Sequence, residues 1–115
     1  MDYVKDLESF KLAHDLTKDL YQITEKFSGV AQEELGVKIR DKTADINANL
    51  LAGSQLNSSE LYREAVNKSK ILLGQVDYYL LLAKDLDYLS TKTYSNLQLK
   101  INQLSKILSG MRRAL

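Results

Sequence analysis

The chain has 115 residues and a formal net charge of +1, and it contains neither cysteine nor proline. This length suits a single domain over residues 1–115, and 44% hydrophobic with 27% charged residues is an ordinary composition for a folded protein in water. The missing cysteines exclude disulfides, thiolate metal sites and a cysteine nucleophile, and the missing prolines leave long stretches free to be helical. We therefore expect an all-α protein.

Two amphipathic segments occupy the first half of the chain. The first runs from about Asp6 to Phe27 and ends at Ser28-Gly29, a helix-terminating pair. The second runs from about Gln32 to Gly53. Both carry apolar residues at alternating spacings of three and four, which predicts one buried face on each helix. These faces comprise Ala13, Leu16, Leu20, Ile23 and Phe27, and then Leu35, Ile39, Thr43, Ile46 and Leu50.

The third segment is the longest and the most apolar. It begins after Asn57 or Ser58, either of which can cap a helix N-terminus, and it continues to about Leu86. Its main seam is Tyr62, Val66, Ser69, Leu73, Val76, Leu80 and Ala83, and a second seam beside it is Ala65, Leu72, Tyr79 and Leu86. A third set, Ile71, Tyr78 and Leu82, widens the apolar surface beyond what one bundle interior needs. We expect this set, together with Tyr79, to form an interface with another subunit.

The fourth segment begins after Ser90, a good N-cap, and reaches the end of the chain. Its seam is an unbroken heptad series: Tyr94, Leu97, Ile101, Leu104, Leu108, Met111 and Leu115. Short connections join successive helices antiparallel, so the predicted fold is an antiparallel up-down-up-down four-helix bundle. The longest apolar run, residues 78–83, is far below the roughly 20 residues of a membrane span, and the charged first residues do not resemble a secretory signal. We expect a cytoplasmic protein without membrane contact.

The positive charge is concentrated in the fourth segment, since residues 90–115 hold five basic and no acidic residues. Lys92, Leu99, Lys106 and Arg113 recur every seven residues opposite the apolar seam. A basic stripe free of acidic residues can contact phosphates, although charged outer faces are also usual in helical bundles. The candidate nucleic-acid contacts are Lys92, Lys100, Lys106, Arg112 and Arg113, with Lys38, Arg40 and Lys42 as secondary candidates.

Catalytic signatures are missing from the sequence. The single histidine, His14, cannot form a metal cluster alone, and the carboxylate pairs, such as Glu33-Glu34, fit solvated surface charge better than an acid–base site. Di-iron, zinc-protease, dinucleotide-binding and P-loop motifs do not occur. We therefore expect no enzyme activity, metal, cofactor or small-molecule substrate.

Several stretches resemble the family of bacterial four-helix-bundle proteins encoded in 23S ribosomal-RNA intervening sequences. They are Phe10 to Phe27, the pair Ile39-Arg40, residues 46–53, residues 74–89 and residues 110–115, so the resemblance covers nearly the whole chain. Within residues 46–53, Ile46, Asn49 and Gly53 fit the family pattern, whereas Asn47 and Ala52 replace its usual Pro and Glu. The family is related to the accessory variability proteins of diversity-generating retroelements.

The resemblance implies a homo-oligomer, because those accessory proteins assemble as pentamers and act beside a reverse transcriptase with nucleic acid. The leading hypothesis is therefore a non-enzymatic, pentameric adaptor for RNA or for an RNA-handling protein, such as a reverse transcriptase or the ribosome, acting through its basic C-terminal helix. The alternative is a pure protein–protein interaction scaffold that never contacts nucleic acid.

Overall fold

A computed structural model describes residues 2–115, with side chains from Val4 onward. It contains four α-helices: α1 (Glu8–Glu25), α2 (Val37–Ser54), α3 (Ser59–Asp85) and α4 (Thr91–Ala114). A 3-10 turn, Asp2–Asp6, precedes α1, and a π-helical turn, Gln32–Gly36, leads directly into α2. The all-α fold and the order of helices are as the sequence predicts, and the described residues form no strand.

The helices form an antiparallel bundle in which each helix packs against the next and α4 closes against α1. The molecule is elongated, with extents of 43 × 23 × 20 Å. One continuous core holds the predicted seams. All five predicted positions of the second segment are buried, and in α4 the central four, Leu97, Ile101, Leu104 and Leu108, are buried as well. The heptad spacing therefore identifies the interior of the bundle correctly.

Helix boundaries follow the predicted signals closely. The hydroxyl of Ser58 accepts a hydrogen bond from the Leu61 amide at 3.1 Å, and that of Ser90 accepts one from the Thr93 amide at 3.0 Å. These two serines are therefore the N-caps of α3 and α4. Two residues beyond the end of α3, Asp87 has a left-handed φ of 67°. The Tyr88 amide donates to the Ala83 carbonyl at 2.8 Å, so the helix ends in a Schellman motif.

Two predicted boundaries are corrected. The first helix begins at Glu8 and ends at Glu25, so Phe27 lies beyond it, although its ring is still buried. The second segment does not begin as a regular α-helix, because residues 32–36 form the π-helical turn. Gly36 ends that turn where a Cβ atom would approach Thr24 of α1 to 3.5 Å and the Arg40 guanidinium to 3.1 Å. The distance to Thr24 is an ordinary van der Waals contact, so a larger residue at position 36 would mainly displace the flexible end of the Arg40 side chain.

Candidate nucleic-acid interface

Helix α4 holds three basic side chains on the side opposite its buried seam. Lys92, Lys106 and Arg113 are exposed, and they are separated by multiples of seven residues, so they lie along one line. The line also contains Leu99, which is 71% exposed. We call these four residues the basic stripe. Because the seam is fixed in the core, the backbone positions of the stripe are fixed along a helix about 36 Å long.

Lys100 does not belong to the basic stripe. Its ammonium group bonds to the carboxylate of Asp19, which links α4 to α1, and both side chains are partly exposed. Arg112 lies at the other edge of α4, where it donates a hydrogen bond to Asn67 Oδ1 of α3 at 2.9 Å and stays exposed. Of these two predicted contacts, Arg112 remains accessible, whereas the charge of Lys100 is compensated within the bundle.

The secondary candidates lie on α2, which packs between α1 and α3 and away from α4. The Lys38 ammonium lies 5.8 Å from the centre of the Tyr79 ring. Arg40 donates to Thr24 Oγ1 at 2.9 Å and lies over the ring of Tyr21 at 6.0 Å. Lys42 is partly buried. The structure therefore does not bring these three residues together with the basic stripe.

Helix α3 contributes two cations beside α4 that the sequence analysis missed. The Lys84 ammonium lies 4.8 Å from the centre of the Tyr94 ring, and it also pairs with Asp85 at 3.5 Å. Lys70 lines a shallow groove between the two helices together with Asn102 and Ser105 of α4. In the sequence, positions 70, 77 and 84 are spaced by seven residues, which places them on one side of α3. This spacing identifies Lys70 and Lys84 as neighbours of α4 only when that side of α3 is known to face α4. Asp77, the middle position, accepts a hydrogen bond from Gln98.

The opposite flank of α4 is acidic. Three carboxylates, Asp6, Glu8 and Asp15, line a groove with Lys11 and with Gln103 of α4. The two flanks of α4 therefore differ in charge, because α1 presents mainly carboxylates, whereas on α3 Lys70 lies in one groove with Asp77 and Lys84 pairs with Asp85. An anion approaching the stripe is repelled on the α1 side and not on the α3 side.

A separate apolar surface lies on α3. Ile71 and Tyr78 are 56% and 59% exposed, whereas Leu82 and Tyr79 are partly buried against the core. We call Ile71, Tyr78 and Leu82 the outer patch. At Leu82 the outer patch reaches a hollow of about 210 Å³. The lining of this hollow includes Tyr79, Leu82, Leu86 and Tyr88 with Val30, Leu35 and Lys38. The expected subunit interface of Ile71, Tyr78, Leu82 and Tyr79 stays a prediction, with Ile71 and Tyr78 as its most exposed members.

A family model described as the 23S rRNA-intervening sequence protein matches residues 5–110. The chain belongs to this family. A comparison with curated proteins returned no match. The family match covers all four helices up to Gly110, so it includes the basic stripe as far as Lys106 and the whole outer patch.

The family-like segment of α2 has a structural role in this member of the 23S rRNA-intervening sequence protein family. Ile46 is fully buried, and its carbonyl accepts a hydrogen bond from the buried Ser69 hydroxyl at 3.0 Å. Gly53 faces Ala65 of α3 so closely that a Cβ atom on Gly53 would overlap that of Ala65. The amide of Asn47 donates to the Phe10 carbonyl of α1 at 2.8 Å. This segment therefore fixes α2 against both neighbouring helices.

His14 lies exposed on α1, and no group of three or more potential ligands among residues with described side chains is arranged to hold a metal ion. None of the helices in the described part of the chain is long and apolar enough to cross a membrane.

Proposed function

We propose that this protein is a non-enzymatic, homo-oligomeric adaptor that binds RNA through the basic stripe of α4, either alone or beside an RNA-handling protein. The observation that carries the proposal is the exposed row of Lys92, Lys106 and Arg113 on a helix without a single acidic residue. Membership of a family described by 23S ribosomal-RNA intervening sequences supports an association with RNA.

The electrostatics of the stripe fit a phosphate backbone. The three side chains are not among the ion pairs formed by the described residues, so their charges are available to a ligand. Each phosphate that a cation neutralises releases counterions, which gives an affinity that falls with added salt. Three contacts from one subunit give weak binding by themselves.

Assembly through the outer patch would strengthen this weak binding. A closed ring, with five subunits as the expected number, would bury Ile71 and Tyr78 against a neighbour and repeat the basic stripe around the ring. Several linked weak sites can raise the overall affinity by roughly 10²–10⁴ without any additional contact per subunit. The low net charge of the chain is therefore compatible with binding.

The test is RNA binding by the double variant Lys106→Glu/Arg113→Glu. We expect its affinity to fall at least about tenfold at low salt, and the slope of log affinity against log salt to become shallower by about two, because two phosphate contacts are lost. Fluorescence anisotropy with a labelled RNA over a salt series measures both quantities.

The matched control is Lys11→Glu/Lys18→Glu, which changes the net charge by the same amount at two exposed positions of α1. It should bind RNA nearly as well as the wild type. Equal RNA binding by the wild type and by Lys106→Glu/Arg113→Glu would refute the proposal.

The second candidate function is a protein–protein scaffold without nucleic-acid contact, and it is favoured by the exposure of Ile71 and Tyr78. An apolar surface of this kind usually marks an interaction site. Capture of one protein partner that persists at high salt, without bound RNA, would support this alternative over RNA binding.

A further inference from the structure

We propose that the RNA held by the basic stripe is double-stranded and that it lies toward α3, across the groove that contains Lys70. This inference rests on the proposed function, because it specifies which form of RNA the stripe binds and where it lies.

The first argument is the rigid spacing of the cations. Lys92 and Lys106 are separated by about 21 Å along the helix axis, and Lys106 and Arg113 by about 10.5 Å. The buried side chains of Leu97 and Leu108 hold α4 in place, so the backbone positions of the three cations are fixed, although their exposed side chains can still rotate. A duplex presents a phosphate array that is already regular, whereas a single strand would have to lose conformational freedom to match the row.

The second argument is the position of the aromatic rings. Proteins that bind single-stranded nucleic acid gain much of their affinity from bases stacked on exposed aromatic side chains. The tyrosine of α4, Tyr94, is partly buried and covered by Lys84. Tyr88 packs on Phe27 with ring centres 5.6 Å apart, and Tyr21 packs with Arg40 of α2. Tyr21, Tyr88 and Tyr78 are 46%, 43% and 59% exposed, but none of them lies on α4, and Tyr78 belongs to the outer patch. The basic stripe itself therefore contains no aromatic ring.

The third argument is the chemistry between the cations. Asn102 and Ser105 of α4 line the groove with Lys70 and carry an amide and a hydroxyl group, and the hydroxyl of Ser95 is exposed on the same helix. Such groups can donate to phosphates, and they can both donate to and accept from the 2′-hydroxyls that line the wide, shallow minor groove of duplex RNA. These contacts would favour an RNA duplex over a DNA duplex, which lacks the 2′-hydroxyl.

The fourth argument concerns direction. A duplex is much wider than one helix, so it must extend over a flank of α4. The α1 groove is lined by three carboxylates and one lysine, whereas the α3 groove is lined by one lysine, Lys70, and one carboxylate, Asp77. Phosphates are therefore repelled on the α1 side and meet no excess of negative charge on the α3 side, which directs them toward α3.

The test compares three labelled probes with one base sequence: an RNA duplex, its single strand and the corresponding DNA duplex. We expect the RNA duplex to bind tightest at every salt concentration. Asn102→Ala/Ser105→Ala, which removes the two polar α4 side chains of the groove with Lys70, should lower its affinity by roughly tenfold, the value of one or two net hydrogen bonds. The same variant should leave the affinity for the DNA duplex nearly unchanged. Circular dichroism verifies that each variant is folded.

Two single charge reversals test the direction of binding. Lys70→Glu should weaken binding of the RNA duplex several-fold, while Lys11→Glu, with the same change of net charge on the acidic flank, should have little effect. Tighter binding of the single strand, equal binding of both duplexes, or equal losses in the two charge reversals would overturn this inference and leave the proposed function standing. Failure of all three probes to bind would overturn both.

Discussion

Gly53 and Gly74 both lie inside long helices, but their surroundings are opposite. A Cβ atom on Gly53 would overlap that of Ala65 on α3, whereas nothing lies within 4 Å of the corresponding position at Gly74. The first glycine therefore permits the close approach of α2 and α3. The second has no steric role and lowers the stability of its helix, because glycine is among the poorest residues for a helix interior.

We expect Gly53→Ala to reduce the free energy of unfolding by about 1–3 kcal/mol, since the overlap forces two packed helices apart. Adding Ala65→Gly should recover part of this loss by restoring the space. Gly74→Ala should raise the free energy of unfolding by about 0.5–1 kcal/mol. Urea unfolding at one protein concentration measures all three. Equal stability of Gly53→Ala and Gly74→Ala would contradict this account of the helix contact.

Asn47 and Ser69 show how single polar residues hold neighbouring helices together. The Asn47 amide bonds to a carbonyl of α1, and the Ser69 hydroxyl bonds to a carbonyl of α2. Each bond satisfies a donor in the bundle interior, where an unpaired group is costly, although Asn47 Oδ1 itself is buried without a partner. Of the α2 residues that fit the family pattern, Ile46 and Gly53 are explained by their packing.

At the scale of elements, α4 combines two kinds of cation. Lys106 and Arg113 are exposed in the basic stripe, whereas Lys100 is paired with Asp19 and joins α4 to α1. The pair is partly exposed, so its contribution to stability is small. Lys100 and Lys106 lie on different sides of α4. The six positions that separate them rotate the side chain by about 240° around the helix axis.

Lys100→Gln should therefore behave differently from Lys106→Gln. We expect Lys100→Gln to lower the free energy of unfolding by at most about 1 kcal/mol and to leave RNA affinity close to that of the wild type. Lys106→Gln should leave stability unchanged and weaken RNA binding. Thermal unfolding and anisotropy, measured on both variants, distinguish the two roles. A larger loss of RNA affinity in Lys100→Gln would show that the ammonium leaves Asp19 to bind the ligand.

At the scale of the whole molecule, the outer patch is the surface through which the proposed oligomer would assemble. Ile71 and Tyr78 are more than half exposed on the longest helix, and the neighbouring hollow extends the apolar surface toward Val30 and Tyr88. Burial of this surface against another subunit would remove apolar area from water at about 25 cal/mol per Å². A ring of subunits would then carry the several stripes that the proposed function requires.

We expect Ile71→Glu/Tyr78→Glu to dissociate the oligomer, because each subunit interface would then have to bury two carboxylates. Leu99→Glu is the control, since Leu99 is even more exposed but lies on α4, outside the patch. Light scattering coupled to size-exclusion chromatography gives the mass of each variant. A monomeric wild type, or an oligomer that survives the double substitution, would contradict the assignment of this patch as the subunit interface.

The periodicity of the sequence alone determined much of this structure. The 3-4 spacing of apolar residues identified the buried faces, Ser58 and Ser90 marked the starts of α3 and α4, and Gly29 marked the end of the first helical segment. These features are local, because a helix repeats every 3.6 residues and its caps use groups within one turn. The same periodicity predicted that Ile71 and Tyr78 lie outside the bundle interior.

Only the tertiary structure decided which charges meet. The pairing of Lys100 with Asp19, the addition of Lys70 and Lys84 to the α4 surface, and the distance of Arg40 from that surface all depend on how neighbouring helices are aligned. A heptad pattern gives the angular position of a side chain on its own helix, but not the axial offset between two helices. That offset results from side-chain packing across the interface, including the close contact of Gly53 with Ala65, and it is therefore a property of the folded bundle.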